Sequence, residues 1–349
     1  MSKQHSTIAF IVPYFGRFNN YFQLWLNSCA ANPTIDWFIF TDDKRDYDYP
    51  PNVHVTYTTL NKIKQRAEKA LNCQVCMDKP YKLCDFKPFY GVMFAEELQG
   101  YDFWGYCDVD LIWGDIRHFV TEDLLTNNYK LFSHGHCTIL RNMEVVNRFY
   151  LLEAKGVIPW QKVVSSPYSF LYDEFDQTNG IFEKHFPDKY HWETAAFDAN
   201  YNTRSLRPTR TTVQLMKAMN TDYVFHWTEG RLTGLCIATD NTIQGQDFMY
   251  LHLQKRKIDC DFSLSATITD CIVLHDRIIR SMPVTPQKFK QLLPNKSILP
   301  YRFEEHVLHV INIIFDNYSQ KPYFRGTVSY WFDKLFGRTN RYDYRYKKS

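Results

Sequence analysis

Two aspartates, Asp108 and Asp110, follow directly after a short apolar run in the stretch YDFWGYCDVDLIWGDI, which spans Tyr101 to Ile116. Alternate residues of a strand face the same way, so the two carboxylates share one face at the strand's carboxyl end, where open α/β sheets bind ligands. Two carboxylate oxygens suit a hard divalent cation, Mg²⁺ or Mn²⁺, that is shared with a phosphorylated substrate. The alternative interpretation is a capped turn, in which the two carboxylates would repel each other without a cation.

The position of this triplet distinguishes it from two others. Asp46-Tyr-Asp48 and Asp259-Cys-Asp261 both lie in polar stretches that are typical of loops. Only Asp108 and Asp110 follow a predicted buried strand.

A second cluster, KPYKLCDFK, holds Lys82, Asp85 and Lys87 just before a predicted helix. The positive end of a helix attracts phosphate, and an acid there could accept hydrogen bonds from a ribose hydroxyl or a base. In the alternative interpretation, Asp85 caps the helix and the lysines are solvated, and the local pattern alone favours this one.

A third cluster, YLHLQKRK, places His252 opposite Leu251 and Leu253 if the segment is extended, and Lys255, Arg256 and Lys257 follow. Histidine and neighbouring cations could clamp a diphosphate leaving group, whose charge must be neutralised as it departs. A surface basic turn with a half-buried histidine explains the same pattern equally well.

Two further groups indicate a sugar site. Asp173 and Glu174 lie among aromatic residues, and rings that cover a pyranose beside carboxylates that bind its hydroxyls are typical of sugar binding. A polar loop with core aromatics is the alternative. His134 and His136 could bind a metal, but they end a strand-like run, so we expect them to line a pocket, on the acceptor side.

Hydrophobic periodicity in the first 110 residues predicts alternating strands and helices. This order indicates an α/β fold with a mainly parallel sheet covered by helices. The predicted strands are Thr7–Pro13, Trp37–Thr41, Val53–Thr58 and Phe103–Cys107, and the predicted helices are Phe18–Cys29, Leu60–Leu71 and a segment from Pro88 to Gly100. Beyond residue 110, strand-like runs occur at Lys130–Leu140, Asp222–His226 and Cys271–His275, and a buried-helix pattern at Phe303–Phe315.

Composition excludes several classes of protein. The 349 residues are 45% apolar and carry a net charge of +3, so the chain is neither disordered nor a dedicated nucleic-acid binder. Nine cysteines, an odd number in apolar surroundings, indicate a reducing compartment. With no signal-peptide core and no run of about 18 apolar residues, we expect a cytoplasmic protein. Nucleotide-loop, dinucleotide, serine-hydrolase and zinc-protease motifs are absent.

Taken together, the motifs resemble a glycosyltransferase of the GT-A type, and their spacing is similar to that of a bacterial family of glycosyltransferase-like proteins encoded with surface-polysaccharide genes. The order of elements also resembles retaining enzymes of glycosyltransferase family eight. The resemblance covers most of residues 7 to 260 and rests on Ile11–Cys29, Ile35–Asp43, Lys79–Pro88, Gly100–Ile116, Gly135–Asn142 and Tyr250–Lys257.

This resemblance implies roles for the clusters. Asp108 and Asp110 would bind Mn²⁺ or Mg²⁺ and the nucleotide-sugar diphosphate, and His252 would complete the metal site. Lys82, Asp85 and Lys87 would contribute to nucleotide-sugar binding. Asp173 and Glu174 stand where family eight has an Asp-Gln pair, and are the candidate catalytic residues. The family-eight H-x-x-G-x-x-K-P-W signature is not present, so diphosphate contacts by Lys255 and Arg256 rest on charge and analogy.

The predicted organisation is a GT-A-like domain at 1–260, with a donor half at about 7–142 and an irregular aromatic acceptor region at about 143–260. A packed extension at 261–320 and a basic aromatic tail at 321–349 follow. The tail carries a net charge of +6, and the preceding 320 residues carry a net charge of −3. Within it, 326–349 predicts an amphipathic helix and basic segment that could bind the anionic inner face of the cell membrane, or pack on the core instead.

The predicted function is transfer of a sugar from a nucleotide-diphosphate donor to a glycan or lipid-linked glycan acceptor, with no nucleic acid involved. Two alternatives come from other classes. One is a non-catalytic carbohydrate-binding protein on the same scaffold. The other is a metal-dependent phosphoesterase, which would usually show further His and Asp ligands at close spacing.

Overall fold

The computed structural model describes residues 5–294 except 175, 176, 202, 255, 261 and 262. The predicted helix at Phe303–Phe315 and the predicted tail at 321–349 lie outside the described residues. No helix in the described part of the chain is long and apolar enough to cross a membrane.

The described residues form strands and α-helices that alternate in the first half and give way to consecutive strands in the second. The strands are β1 (Ile8–Tyr14), β2 (Ile35–Thr41), β3 (Val53–Tyr57), β4 (Phe103–Cys107), β5 (Leu111–Trp113), β6 (Lys130–His134), β7 (Cys137–Arg141), β8 (Tyr190–His191), β9 (Ala196–Asp198), β10 (Val224–Thr228), β11 (Arg231–Ile237), β12 (Ile243–Asp247), β13 (Tyr250–His252), β14 (Asp259–Cys260), β15 (Asp270–Val273) and β16 (Arg277–Arg280). The helices are α1 (Phe22–Ala30), α2 (Leu60–Leu71), α3 (Tyr90–Met93), α4 (Ile116–Phe119), α5 (Glu122–Asn127), α6 (Glu144–Asn147), α7 (Trp160–Ser165), α8 (Thr178–His185), α9 (Arg210–Met216) and α10 (Pro286–Leu292). Three 3₁₀ segments span Pro80–Phe89, Phe149–Leu151 and Pro187–Lys189.

The central sheet has the order β3-β2-β1-β4-β7-β6-β8. β1 lies parallel to β2 and β4, β2 is parallel to β3, and β8 is parallel to β6, whereas β7 runs antiparallel to both its neighbours. The predicted α/β class with a parallel-rich central sheet is confirmed.

Both faces of this sheet are buried, as the continuous apolar run of β1 predicts. On one face, Phe10 packs with Trp25 and Trp37 of α1 and β2. On the other face, Ile11 belongs to a cluster that includes Ile63 of α2 and extends across the 3₁₀ segment at Pro80–Phe89. The helix predicted from Pro88 to Gly100 is reduced to the single turn of α3, because the chain enters it in 3₁₀ conformation with Pro88 inside that segment.

A second sheet was largely missed by the sequence patterns. It has six strands in the order β12-β11-β10-β15-β16-β14 and is mainly antiparallel. Its longest strand, β11, alternates buried with partly buried positions as a strand should, but Gly234 in its middle weakens the sequence pattern. The boundary expected at residue 260 falls inside this sheet, since β15 pairs directly with β10.

Gly105 lets β4 approach its neighbours closely. A Cβ atom there would lie 2.6 Å from the carbonyl oxygen of Thr138 and 2.8 Å from the Phe10 ring. We expect Gly105→Ala to lower the free energy of unfolding by about 2–3 kcal/mol through overpacking. Urea denaturation measures it.

Gly245→Ala is the matched control in β12, because its nearest contact would be a side-chain methyl of Thr233 at 3.1 Å. We expect the control to change the free energy of unfolding by about 0.5 kcal/mol or less. Equal losses in the two variants would contradict the close approach of β4 to Thr138.

Candidate active site

Strand pairing brings three distant acidic and imidazole side chains into one row. β13 pairs antiparallel with β5 and parallel with β9, so His252 lies opposite both Leu111 and Asp198. The amide of Leu253 donates to the carbonyl of Asp110 at 2.9 Å. The register of this small sheet therefore places Asp110, His252 and Asp198 side by side.

Asp108, Asp110 and His252 converge on one point. Each offers one ligand atom, and these atoms all lie within 4.8 Å of one another. Nε2 of His252 lies 3.6 Å from Oδ1 of Asp110, and Asp110 and His252 are largely buried. Two carboxylates and one imidazole form a donor set that fits Mn²⁺ or Mg²⁺.

Asp198 orients the imidazole of His252. Its Oδ1 accepts a hydrogen bond from Nδ1 of His252 at 2.8 Å and another from Nε2 of Gln254. Burial lowers the pKa of His252, but Asp110 and Asp198 outweigh burial and raise this pKa well above its ordinary value. The arrangement leaves Nε2 facing Asp110, as in metal sites where a carboxylate fixes the ligand histidine.

His136 lies beside the same group because β7 pairs with β4. The amide of Asp108 donates to the carbonyl of His136 at 3.1 Å, and the His136 ring packs 4.2 Å from that of His252. Nδ1 of His136 shares a hydrogen bond of 2.9 Å with the hydroxyl of Tyr250, and the ring of His134 follows at 4.8 Å. Burial lowers the pKa of both His134 and His136. The two histidines therefore line the site as neutral rings.

The ammonium group of Lys87 joins the metal group to the candidate catalytic pair. Its Nζ lies 2.8 Å from Oδ1 of Asp108 and 3.1 Å from Oδ2 of Asp173, and it donates to the carbonyl of Gly135 at 2.8 Å. Burial lowers the pKa of Lys87, but the two carboxylates outweigh burial and raise it well above its ordinary value. Lys87 is therefore a charged lysine between two acids.

Asp173 and Glu174 pack against Gly135 in the turn between β6 and β7. A Cβ atom at Gly135 would lie 2.5 Å from Oδ2 of Asp173 and from Cγ of Glu174, so only glycine permits this approach. Burial raises the pKa of Asp173 to about 6, against the opposing effect of Lys87. Burial and the charge of Asp173 raise the pKa of Glu174 to about 7. Oδ1 of Asp173 is buried and has no hydrogen-bond partner within the described part of the chain.

Lys82 and Asp85 are corrected to a structural role. Nζ of Lys82 lies 2.7 Å from Asp85 and donates to the carbonyls of Val163 and Tyr168. The fully buried Asp85 accepts the amides of Phe170 and Tyr172 at 3.0 Å. With every one of these contacts inside the protein, the pair fixes the segment that leads into Asp173 and offers no atom to a nucleotide.

Arg256 is corrected in the same way, and Lys255 lies outside the described residues. Arg256 is 2% exposed, and its guanidinium donates to the carbonyls of Arg204, Asn200 and Thr203. Arg256 therefore holds the loop that follows Asp198 instead of reaching a diphosphate.

An open cleft of about 650 Å³ lies next to the site. Asn19, one of its lining residues, donates to the carbonyl of Val109 at 2.9 Å and so links the cleft to the Asp108–Asp110 turn. Its lining residues are mostly polar: Asn19, Asn20, Gln23, Arg45, Asp46, Tyr47, Asp48, Cys260 and Leu264.

Sequence reasoning missed Asp198, Tyr250 and Asn19. Asp198 stands alone in AAFDAN, with no alternation or spacing that marks it. Its role depends on the parallel pairing of β9 with β13, which only the folded structure shows.

Comparisons with known proteins add a family and some distant structural likenesses. The profile of a family of unknown function, DUF6625, matches residues 10–282. A search of curated proteins found no match. A solved structure of the glycosyltransferase GlyE in Streptococcus pneumoniae TIGR4 is similar at 11% identity and a TM-score of 0.27, over 54% of this chain and 45% of that one. Its apo form is similar at 13% identity and a TM-score of 0.27, with the same coverage.

A galactosyltransferase, LgtC, in complex with donor and acceptor sugar analogues, is similar at 9% identity and a TM-score of 0.30, over 55% of this chain and 75% of that one. The chain spans less than half the length of GlyE.

We expect Glu174 to make the protein's stability depend on pH. Its pKa of about 7 in the folded state lies above the ordinary value of 4.5, so the folded state binds more protons than the unfolded state between these values. Stability is therefore lost as pH rises through 7, by about 1–3 kcal/mol for this residue. We expect Glu174→Gln to flatten the dependence of the free energy of unfolding on pH between 4.5 and about 7, measured by urea denaturation.

Glu96→Gln, at an exposed position, controls for the loss of one acidic group. A Glu174→Gln profile parallel to that of the wild type would show that Glu174 ionises normally in the folded protein.

Proposed function

The chain belongs to the family DUF6625, and we propose from its site that it is a metal-dependent glycosyltransferase, which moves a sugar from a nucleotide-diphosphate donor to a glycan or lipid-linked glycan acceptor. One observation carries the proposal. Lys87 links three possible ligands of a cation, Asp108, Asp110 and His252, to a buried acidic pair. That pair is Asp173 and Glu174. A group that can hold a diphosphate thus adjoins a group that can handle a sugar hydroxyl.

The residues present fit a divalent cation. Asp108, Asp110 and Nε2 of His252 would hold Mn²⁺ or Mg²⁺, and Asp198 keeps the imidazole in the orientation that this requires. When bound, such a cation neutralises charge on the departing diphosphate.

Lys87 and the polar cleft would hold the donor. Asp108 is one-third exposed, so its second oxygen can reach a ligand while Lys87 holds the first. The cleft beside Asn19 has the size and polarity to take a nucleoside, and Arg45 is fixed there by Asp43. We therefore place the diphosphate at Asp108 and Lys87, with the nucleoside toward Asn19.

Asp173 and Glu174 would act on the sugars. A carboxyl group with a pKa near 7 is well matched to exchanging a proton with a hydroxyl at neutral pH. Glu174 would accept the acceptor's hydroxyl proton if the reaction inverts. Oδ1 of Asp173, which has no partner among the described residues, would take a hydrogen bond from a sugar hydroxyl in either stereochemical course. His134 and His136 would line the acceptor side.

A phosphoesterase is the second candidate, and one observation favours it. His136 and Asp198 supply the further His and Asp ligands that a second metal would need. However, the two sets of possible metal ligands both include His252, and a neutral imidazole has only one nitrogen available to a metal. The two sets therefore cannot each hold a metal through this ring.

The test is turnover of purified protein with Mn²⁺ and a panel of nucleotide sugars, followed by release of nucleoside diphosphate. We expect slow release with one donor, and a loss of at least about 100-fold in Asp110→Asn. Asp110→Asn should still fold, because asparagine keeps the size of the side chain and a polar oxygen beside Nε2 of His252. Asp259→Asn, in another Asp-x-Asp triplet, is the control and should keep wild-type activity.

Turnover of a phosphodiester probe with no nucleotide-sugar turnover would favour the phosphoesterase. Normal turnover in Asp110→Asn would contradict the metal assignment.

A further inference from the structure

We propose that His136, Asp198 and His252 form a second divalent-cation site, which selects Zn²⁺ or Co²⁺ and whose occupation excludes the cation held by Asp108 and Asp110. The site itself is independent of the proposed function, whereas the exclusion rests on it. The consequence is inhibition of sugar transfer by zinc.

The three side chains already lie at ligand spacing. One ligand atom from each of His136, Asp198 and His252 falls within 4.8 Å of the others. Ligands around a tetrahedral zinc ion stand about 3.4 Å apart at bond lengths of about 2.1 Å. Small side-chain rotations would therefore bring the three ligand atoms to the spacing that a zinc ion requires.

The site is held in place by its surroundings. Nδ1 of His136 is engaged by the hydroxyl of Tyr250, which leaves Nε2 as the ring nitrogen for a metal. The backbone amide of Asp198 donates to Oγ1 of Thr212 at 3.0 Å, and the paired strands fix the positions of Asp198 and His252. These contacts fix the backbone at Asp198 and His252 and the ring of His136 before a metal arrives.

The donor set determines the metal. Two imidazoles and one carboxylate with an open position are the ligands of many catalytic zinc sites. Affinities of nitrogen-containing sites rise from Mn²⁺ through Co²⁺, and Zn²⁺ also binds more tightly than Mn²⁺. The neighbouring group of two carboxylates and one imidazole suits Mg²⁺ and Mn²⁺ better. The two groups therefore prefer different ions.

The exclusion follows from the chemistry of one imidazole ring. Nδ1 of His252 faces Asp198 at 2.8 Å, and Nε2 faces Asp110 at 3.6 Å. A neutral imidazole has one proton and one lone-pair nitrogen. A metal bound at Nδ1 leaves the ring proton on Nε2, which then donates to Asp110 and cannot bind a cation.

Cobalt tests the site directly, since Co²⁺ bound by nitrogen and oxygen gives visible absorption bands. We titrate metal-free, full-length protein with Co²⁺ and expect binding in the wild type and in Asp108→Asn. We expect at least tenfold weaker binding in His136→Ala. Because Cys73, Cys76, Cys84 and Cys260 are partly exposed, a variant with all four changed to serine is titrated in parallel and should bind equally.

Unchanged cobalt binding in His136→Ala overturns the proposal, as does equal weakening in Asp108→Asn. If His136→Ala fails to fold, Asp198→Asn takes its place, with the same expected loss.

The exclusion is tested by titrating Mn²⁺, followed by its electron paramagnetic resonance, with and without one equivalent of Zn²⁺. We expect zinc to weaken Mn²⁺ binding at least tenfold in the wild type and not in His136→Ala. Simultaneous binding of both ions overturns the exclusion. If Asp108→Asn binds Mn²⁺ as tightly as the wild type does, the proposed function is contradicted. The cobalt result would still support the second site.

Discussion

The buried ammonium of Lys87 is the interaction on which the site depends. Asp108 and Asp173 come from different parts of the chain and would repel each other, and Lys87 lies within 3.1 Å of both. Removing one member of a buried charge pair typically costs about 3–5 kcal/mol, because the other charge is left without a partner. Lys87 therefore stabilises the ionised form of Asp173 in its buried position beside the sheet.

The surrounding structure serves to hold this contact. The Lys82–Asp85 pair ties the segment ahead of Asp173 to the 3₁₀ helix that carries Lys87. Gly135 removes the side chain that would otherwise push Asp173 and Glu174 away. Lys82 and Asp85, which the sequence suggested for ligand binding, therefore hold in place the groups that would contact the ligand.

Much of the fold was predictable from periodicity, and the site was predictable in part. β1, β2, β4 and α2 agree with their patterns to within about two residues, because each buries a continuous run or a helical stripe. The second sheet was missed because its strands are short and mixed in polarity. The convergence of Asp108, Asp110 and His252 was predictable from position and residue type. Asp198 was not predictable, because its place in the site depends on pairing between strands more than fifty residues apart in sequence. The burial of Lys82, Asp85 and Arg256 likewise results from tertiary packing.

Anomalous diffraction at the manganese edge, from crystals grown with Mn²⁺ and a nucleoside diphosphate, would locate both the metal and the donor phosphates. We expect one peak bound by Asp108, Asp110 and Nε2 of His252, with the diphosphate on the ion and near Lys87, and the nucleoside in the cleft beside Asn19. A nucleotide bound elsewhere, or an ordered diphosphate with no manganese peak at these three residues, would contradict it.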